Sequence, residues 1–259
     1  MDHWYNAIGE ACYGANLKQA RMFNYLPSVT TIDKVIANPG LDQWKLNSVI
    51  EATIANPFTG FDDDSEYIAW IKKEAFKDSR QKMKLGTVVH HLAERYIKGK
   101  PLFFTGSRPD VWDIFKPLKD WIDINLIAPD TGLNCNEGAE VILVNEKLGY
   151  AGKADFKGRL TTGQKVILDF KSTTVKKTDV KKDGNLKKAK LYDSYARQLT
   201  ALDMCNVKEV NILMSVIVST DPDNYGVWTH IWEYDDIKKA WDQFAGALKI
   251  FRSLKGLKE

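Results

Sequence analysis

Asp155-Phe156-Lys157 and, after a turn, Leu168-Asp169-Phe170-Lys171-Ser172 are two short apolar segments that the pattern of residues predicts to be neighbouring β-strands. Successive side chains of a strand point to opposite faces, so Asp169 and Lys171 share one face while Phe170 points into the core. Two carboxylates and an ammonium group at one place suit a Mg²⁺-dependent hydrolase of phosphodiesters. A hard divalent ion prefers carboxylate oxygens, and a water held on that ion becomes a better nucleophile.

Two predicted helices flank these strands in the sequence. The first covers residues 86–97, where apolar residues recur with a helical period. His90 and Glu94 stand four residues apart in it and therefore share one face. The second covers residues 192–202 and carries Tyr195 and Gln198.

In order along the chain, these residues form the patterns Gly-x-x-x-His-x-x-x-Glu, Gly-x-x-Asp, Asp-x-Lys and Tyr-x-x-Gln-Leu. This order resembles the PD-(D/E)XK nuclease superfamily, in the RecB-like branch that includes mitochondrial-genome-maintenance-type and phage exonucleases. The resemblance is specific from Gly86 to Leu202. It implies an α/β fold with a restriction-endonuclease-like core, a central mixed β-sheet flanked by helices, and a helical N-terminal elaboration. We expect residues 1–85 to form that elaboration, packed on a nuclease core of residues 86–259.

The resemblance also assigns roles to residues of the predicted site. Asp155 and Asp169 are the strongest pair from chemistry alone, because a buried carboxylate without a partner costs several kcal/mol and a metal ion removes that cost. Lys171 is expected to orient the attacking water or to stabilise the developing charge. For His90 and Gln198 the role depends on the resemblance, since a lone histidine or glutamine on a helix is more often packed or exposed. The expected catalytic residues are Asp155, Asp169, Lys171 and Gln198, and the expected metal ligands are His90, Glu94, Asp155, Asp169 and the carbonyl of Phe170.

DNA contacts are expected from hydroxyl, aromatic and basic side chains around these motifs. Ser28 and Thr30 are candidate helix N-caps, and they also match a Ser-Val-Thr segment of the resembling exonucleases. Glu140 matches a less defining acidic position of the family. The expected DNA-binding residues are Ser28, Thr30, Ser172, Thr173, Lys176, Lys177 and Tyr195.

The charge of the chain is concentrated in one segment. The formal net charge is only +3, yet residues 171–190 contain eight lysines and two aspartates and so carry +6. This surplus follows the second predicted strand directly, where a phosphate backbone would lie. A solvated loop would also account for many of these lysines taken singly.

Composition excludes several other classes of protein. No apolar run approaches the roughly 18 residues that span a bilayer, and the N-terminus lacks the regions of a signal peptide. The cysteines (Cys12, Cys135 and Cys205) form no Cys-x-x-Cys pair. They predict neither disulfides nor zinc, and three cannot supply the four ligands of the iron–sulfur cluster of some RecB-like relatives. We expect a reducing, cytoplasmic setting, in the host cytoplasm if a phage encodes the protein.

Taken with the resemblance, these features predict a Mg²⁺- or Mn²⁺-dependent DNA exonuclease acting from single-stranded ends in recombination, replication or repair, where proteins of those processes are possible partners. Three alternatives stay open: an endonuclease or flap or junction nuclease on the same fold, a DNA-binding module without nuclease activity, and another metal hydrolase.

Local signals predict the secondary structure. We expect a helix over residues 1–22, a helix beginning near Ser28, and a helix from Tyr67 to about Phe76 introduced by the acidic run 62–66. Strands are predicted over residues 139–145, 150–159, 165–171, 210–218 and 227–234, a helix over about 111–127, and a last helix over about 235–254.

Overall fold

A computed structural model describes residues 2–58, 60, 63–103, 110–127, 137–205 and 212–257. Strands and helices alternate in the second half, whereas the first half is mostly helical. The strands are β1 (Trp4–Tyr5), β2 (Leu26–Pro27), β3 (Gly138–Asn145), β4 (Tyr150–Arg159), β5 (Lys165–Thr173), β6 (Ile212–Ser219) and β7 (Val227–Ile231). The helices are α1 (Leu17–Phe23), α2 (Val29–Asp33), α3 (Pro39–Ala55), α4 (Asp64–Ala75), α5 (Lys77–Ile97), α6 (Asp110–Asn125), α7 (Asp193–Asp203) and α8 (Tyr234–Lys255).

The central sheet has five strands in the order β3-β4-β5-β6-β7. Three neighbouring pairs are antiparallel, and β5 and β6 run parallel. Parallel neighbours need a crossover connection, and α7 lies in the chain between these two strands. The predicted mixed α/β fold, a central mixed sheet flanked by helices, is confirmed.

The core lies on both faces of the sheet. All of β6 is buried from Ile212 to Ser219, as expected for a central strand covered on two sides. On one face, α7 buries Leu199 and Leu202, and α8 buries Phe244 and Phe251. This packing places one end of α7 beside the middle of β5, where the predicted site residues lie.

The chain divides into two compact units. One contains residues 1–35 together with residues 88–259, and the other contains residues 36–87. In the smaller unit, Trp44 packs against Phe76 with ring centroids 5.8 Å apart, and the Tyr67 hydroxyl donates to the carbonyl of Asn56 at 2.7 Å. The contacts therefore group the first 35 residues with the sheet. The predicted division into an N-terminal elaboration of residues 1–85 and a nuclease core of residues 86–259 stays a prediction.

The predicted helix over residues 1–22 is wrong for most of its length. Trp4–Tyr5 pairs with Leu26–Pro27 as a two-stranded ladder, and only Leu17–Phe23 is helical. Gly9 and Gly14 adopt positive φ angles of 85° and 77°, which interrupt a helix. Asn16 then starts α1 with a capping box to Gln19.

Other local predictions match the structure closely. The strand at residues 150–159 has the predicted bounds. Ser28, one of the two candidate N-caps, caps α2 by accepting a backbone N–H in its first turn. The helix predicted from Tyr67 begins earlier, at Asp64 within the acidic run, with Asp63 as its N-cap. The last predicted strand extended too far, because β7 ends at Ile231 and α8 begins at Tyr234. Within the described ranges, every helix is too short or too polar to cross a bilayer.

Candidate functional site

The site is built where the antiparallel ladder between β4 and β5 stops. The last pair of that ladder is Phe156 with Leu168, so the next residues in register are Asp155 and Asp169. Instead of a further ladder bond, an Oδ2 atom of Asp155 accepts the backbone N–H of Phe170 at 2.7 Å. The two carboxylates therefore face each other across neighbouring strands, as strand alternation predicted.

His90 approaches from α5. Its Nδ1 lies 3.4 Å from Oδ2 of Asp155, and its ring meets the ring of Phe170 edge-on with centroids 6.2 Å apart. Phe170 is almost completely buried, which fixes the surface against which the imidazole packs. The structure thus brings the predicted helical histidine to the first of the two aspartates.

Lys171 and Gln198 complete the cluster on the side of Asp169. The Lys171 ammonium forms an ion pair with Oδ2 of Asp169 and donates a hydrogen bond to Oε1 of Gln198 at 3.1 Å. The amide Nε2 of Gln198 donates to Oδ1 of Asp169 at 3.1 Å. Gln198 therefore holds the lysine and the aspartate together from α7, a position that the sequence could suggest only through the family resemblance.

Tyr195 supports Lys171 from the same helix. The Lys171 ammonium lies 5.1 Å from the centre of the Tyr195 ring, a cation–π distance. Burial raises the pKa of the tyrosine hydroxyl, and the nearby Tyr192 and Asp169 add to that effect. The predicted DNA-binding role of Tyr195 stays a prediction; what the structure shows is that its ring lies against Lys171.

The two aspartates differ in their electrostatic surroundings. Burial raises the pKa of Asp155, but contacts with His90, Lys171 and the Phe170 N–H outweigh it, so the pKa lies below its ordinary value. Burial raises the pKa of Asp169 to about 6; Lys171 opposes this rise, and the charge of Asp155 adds to it. The Oδ2 atom of Asp169 is buried, and its partner is the Lys171 ammonium.

The donor set fits a divalent metal ion in chemical type. One imidazole, two carboxylates and the carbonyl of Phe170 lie at the end of the β4–β5 ladder, and the carboxylate of Asp169 is almost completely buried. In the described parts of the chain, no three His, Cys, Asp or Glu side chains converge as a preformed metal cluster.

Glu94 contacts different residues from the other predicted ligands. Its carboxylate pairs with Lys98 at 2.8 Å and with His91 at 3.4 Å, both on α5. The hydrogen bond from Lys98 holds the pKa of Glu94 below its ordinary value despite partial burial. The structure does not bring this carboxylate into the contacts around Asp155, and its role as a metal ligand stays a prediction.

The predicted DNA-binding residues are distributed unevenly. The Ser28 hydroxyl is buried, donating to Thr31 Oγ1 at 2.9 Å and accepting the Thr31 N–H, whereas Thr30 is exposed. Ser172 and Thr173 continue β5 and are half-buried, and Lys176 and Lys177 are exposed just beyond it. Contacts with DNA by any of these residues stay predictions.

The segment after β5 is folded rather than extended into solvent. Val175 and Leu186 are buried with Ile217 of β6, and Val180, Leu191 and Trp228 pack against them. Val180 and Leu186 also form a β-bridge. Six of the lysines of this segment are exposed around the apolar cluster: Lys176, Lys177, Lys181, Lys182, Lys187 and Lys188. We call residues 174–191 the basic lobe.

Glu140 has an unusual backbone conformation that the sequence did not predict. Glu140 in β3 has a φ angle of 59°, which is rare for a residue other than glycine. The β3–β4 ladder pairs Ala139 with Phe156 and Val141 with Ala154 but skips Glu140 and Asp155, which lie opposite each other. The Glu140 carboxylate forms an ion pair with Lys153.

A cavity of about 510 Å³ opens beside the cluster and shares Asp155 and Gln198 with it. Its other walls come from the N-terminal residues, α2, β3 and β4. The sequence did not indicate this cavity, because the N-terminal segment was predicted to be helical.

Comparisons with known proteins give little further help. No protein-family model matches the chain, and no curated protein sequence matches it. Among solved structures, the chain is similar to a provisionally assigned exonuclease from Eubacterium rectale, with 14% identity and a TM-score of 0.42 over 68% of this chain and 69% of that one. It is also similar to SSO0001, with 12% identity and a TM-score of 0.34 over 84% and 89% of the two chains.

Proposed function

We propose that this protein is a metal-dependent deoxyribonuclease that hydrolyses phosphodiester bonds as an exonuclease, starting from single-stranded ends. The observation that supports this proposal is the convergence of Asp155, Asp169 and Lys171 at the end of one strand ladder, with His90 and Gln198 in contact with them. Two acids, an imidazole and an ammonium in a half-buried cluster suit phosphodiester hydrolysis better than acyl or glycosyl transfer.

His90, Asp155, Asp169 and the carbonyl of Phe170 would hold the Mg²⁺ or Mn²⁺ ion that the resemblance implies. When bound, such an ion supplies Lewis acidity to the phosphate and increases the acidity of a nearby water. The chain itself supplies the alignment of these donors, because the Phe170 N–H holds one oxygen of Asp155 at 2.7 Å.

Lys171 would act on the substrate directly. Its ammonium is held by Gln198 and Asp169 and rests 5.1 Å from the Tyr195 ring centre. A cation fixed in this way orients the attacking water or stabilises the charge that develops on the phosphoryl oxygens, with little reorganisation during the reaction. Gln198 positions the lysine rather than reacting.

The basic lobe supports nucleic acid as the substrate. Its exposed lysines surround a packed apolar cluster, so the positive charges are held on a folded support immediately after β5. Lysines arranged in this way attract a phosphate backbone through release of its counterions. A role in recombination, replication or repair, with proteins of those processes as partners, belongs to the same proposal.

End-labelled single- and double-stranded DNA, incubated with Mg²⁺, Mn²⁺ or EDTA, tests the proposal. We expect release of labelled nucleotides from single-stranded ends with either metal and none with EDTA. Lys171→Ala should slow release by about 100- to 1,000-fold, and Lys249→Ala, an exposed lysine of α8, is the matched control.

Circular single-stranded DNA separates the remaining possibilities. A circle that stays intact while linear DNA is degraded agrees with an exonuclease, whereas cleavage of the circle identifies an endonuclease. Binding of DNA without any cleavage would identify a DNA-binding module instead.

A further inference from the structure

The cavity beside the site has the composition of a base-binding pocket rather than a phosphate-binding one. Trp4, Tyr5 and Tyr13 supply aromatic surface, and Ile142 supplies aliphatic surface. Lys153 is the one lysine or arginine among the described residues that line it, and its ammonium is paired with the carboxylate of Glu140. Apart from His3, a phosphate placed here would meet only this paired lysine, whereas a nucleobase would find rings and apolar side chains.

Tyr13 is placed to stack on an incoming base. It is 88% exposed, although tyrosine at a cavity wall usually buries much of its ring. Tyr5 lines the same cavity as Tyr13 and is largely buried. The buried Trp4 packs against Phe251 of α8 with ring centroids 6.2 Å apart, so this packing fixes the position of the Trp4 ring in the cavity wall.

The cavity is continuous with the proposed reaction site. Asp155 and Gln198 line it, and both belong to the cluster around Lys171. A group held in the cavity therefore lies beside that cluster. Thr30, exposed on α2, also lines the cavity.

The size of the cavity limits its occupant. About 510 Å³ lies within the range of pockets that hold one small-molecule-sized group. A base still paired to its partner strand does not fit such a space. Enzymes that act on a nucleotide place it in a closed pocket only after it has left the stack, which is easiest for a base that is already single-stranded.

We propose that this cavity holds the unpaired base of the nucleotide next to the scissile phosphate, stacked on Tyr13, and so selects single-stranded ends. This inference rests on the proposed nuclease function, which it deepens by naming the part of the substrate that is recognised. Recognition by stacking tolerates every base, because each base has a π-face.

The test measures binding and cleavage separately. Binding of single-stranded oligonucleotides is measured by fluorescence anisotropy in EDTA, with a normal terminal nucleotide or an abasic one, at the 5′ or the 3′ end. Wild type should bind the normal oligonucleotide about 5- to 100-fold more tightly than the one that is abasic at the end it recognises. Tyr13→Ala should lose this preference and bind both oligonucleotides equally, whereas Tyr13→Phe should keep it.

Two matched variants control for folding and for general effects. Tyr234→Ala removes another exposed tyrosine, 77% exposed at the start of α8, and should keep the preference. Ile142→Trp fills the cavity and should remove the preference, while Ile231→Trp adds the same bulk at a strand residue of similar exposure (46% against 40%) and should keep it. Thermal melting confirms that each variant is folded.

The outcomes separate the pocket from the catalytic function. The pocket is overturned if wild type binds normal and abasic oligonucleotides with equal affinity. It is also overturned if Tyr13→Ala weakens binding of both oligonucleotides by the same factor. Absence of cleavage with Mg²⁺ or Mn²⁺ overturns the nuclease, whatever the binding data show. The end at which an abasic nucleotide weakens binding also gives the polarity of degradation.

Discussion

The carboxylate of Asp155 accepts the backbone N–H of Phe170 at 2.7 Å, in the place where the β4–β5 ladder would otherwise continue. This bond ties the first acid of the site to the strand that carries the second. It also means that Asp155 contributes to the fold through its oxygen and to the proposed chemistry through its charge.

Substitution of Asp155 should separate these two contributions. Asp155→Asn keeps an oxygen acceptor for Phe170, so we expect little change in the free energy of unfolding and a loss of cleavage of about 100-fold or more. Asp155→Ala leaves the Phe170 N–H unsatisfied and should cost a further ~1–3 kcal/mol of stability. Urea unfolding and the nuclease assay measure the two effects. Equal stability of the two variants would contradict the structural part of the prediction.

Gln198 should act through Lys171. Gln198→Ala removes one hydrogen bond to the lysine and one to Asp169, and we expect cleavage to fall by about 10-fold with unchanged metal requirement. The cleavage rate of Lys171→Ala should fall further. The double variant should be no slower than Lys171→Ala alone, because the effects of residues that act as a unit are not additive. Gln164→Ala, at an exposed turn, is the control. Additive losses in the double variant would show that Gln198 works independently.

The basic lobe should set the salt dependence of DNA binding. Changing Lys181, Lys182, Lys187 and Lys188 to Gln should reduce the slope of log K against log salt by about 0.7 per lost phosphate contact on single-stranded DNA. Because these side chains are exposed, the melting temperature should change little. The matched control carries the same change at four exposed lysines elsewhere, Lys18, Lys147, Lys238 and Lys249. If both variants shift the slope equally, the lobe has no special role.

Ser28 and Thr30 should respond differently to the same substitution. Ser28 is buried and caps α2, so Ser28→Ala should lower stability by about 1 kcal/mol, the usual value of an N-cap. The Thr30 hydroxyl also lies 3.1 Å from Ser28 Oγ, but the Thr30 side chain is exposed. Thr30→Ala should therefore cost less stability than Ser28→Ala and should weaken binding of single-stranded DNA. Chemical unfolding measures the stability of the two variants, and fluorescence anisotropy measures their affinity for single-stranded DNA. A larger stability loss for Thr30→Ala would reverse this assignment.

Asp203 should make stability depend on pH. Burial raises the pKa of its carboxyl to about 6, with Lys157 opposing the rise, and Oδ1 is buried without a hydrogen-bond partner. The folded state therefore holds the proton more tightly than the unfolded state, so stability falls as the pH rises from about 4 through 6. Asp203→Asn removes this loss.

We expect Asp203→Asn to be more stable than wild type by about 1–2 kcal/mol at pH 7.5, a figure reduced for the partial exposure of the group, and nearly equal to it at pH 4. Urea unfolding across this range measures the difference. Asp242→Asn, which neutralises an exposed acid of α8, is the matched control. A constant difference for Asp203→Asn would show that the carboxyl does not titrate as described.

Local sequence signals predicted the secondary structure correctly where the interactions that fix it join residues close together in the chain. The bounds of the strand at residues 150–159 follow from alternation, and the cap Ser28 follows from hydrogen bonds within one helical turn. The helix predicted over residues 1–22 was wrong because the structure there depends on residues distant in the chain. Trp4 and Tyr5 are held by pairing with Leu26 and Pro27, which lie more than 20 residues away in the chain.

The sequence by itself determined the mixed α/β fold and the pairing of Asp155 with Asp169 and Lys171, because strand alternation and a short connection between strands are local properties of the chain. Only the tertiary structure decided that His90 lies against Asp155, that Gln198 bridges Lys171 and Asp169, and that a cavity opens beside them. These contacts join residues that are 27 to 65 positions apart in the chain. Their geometry depends on how helices pack on the sheet, which no single segment encodes.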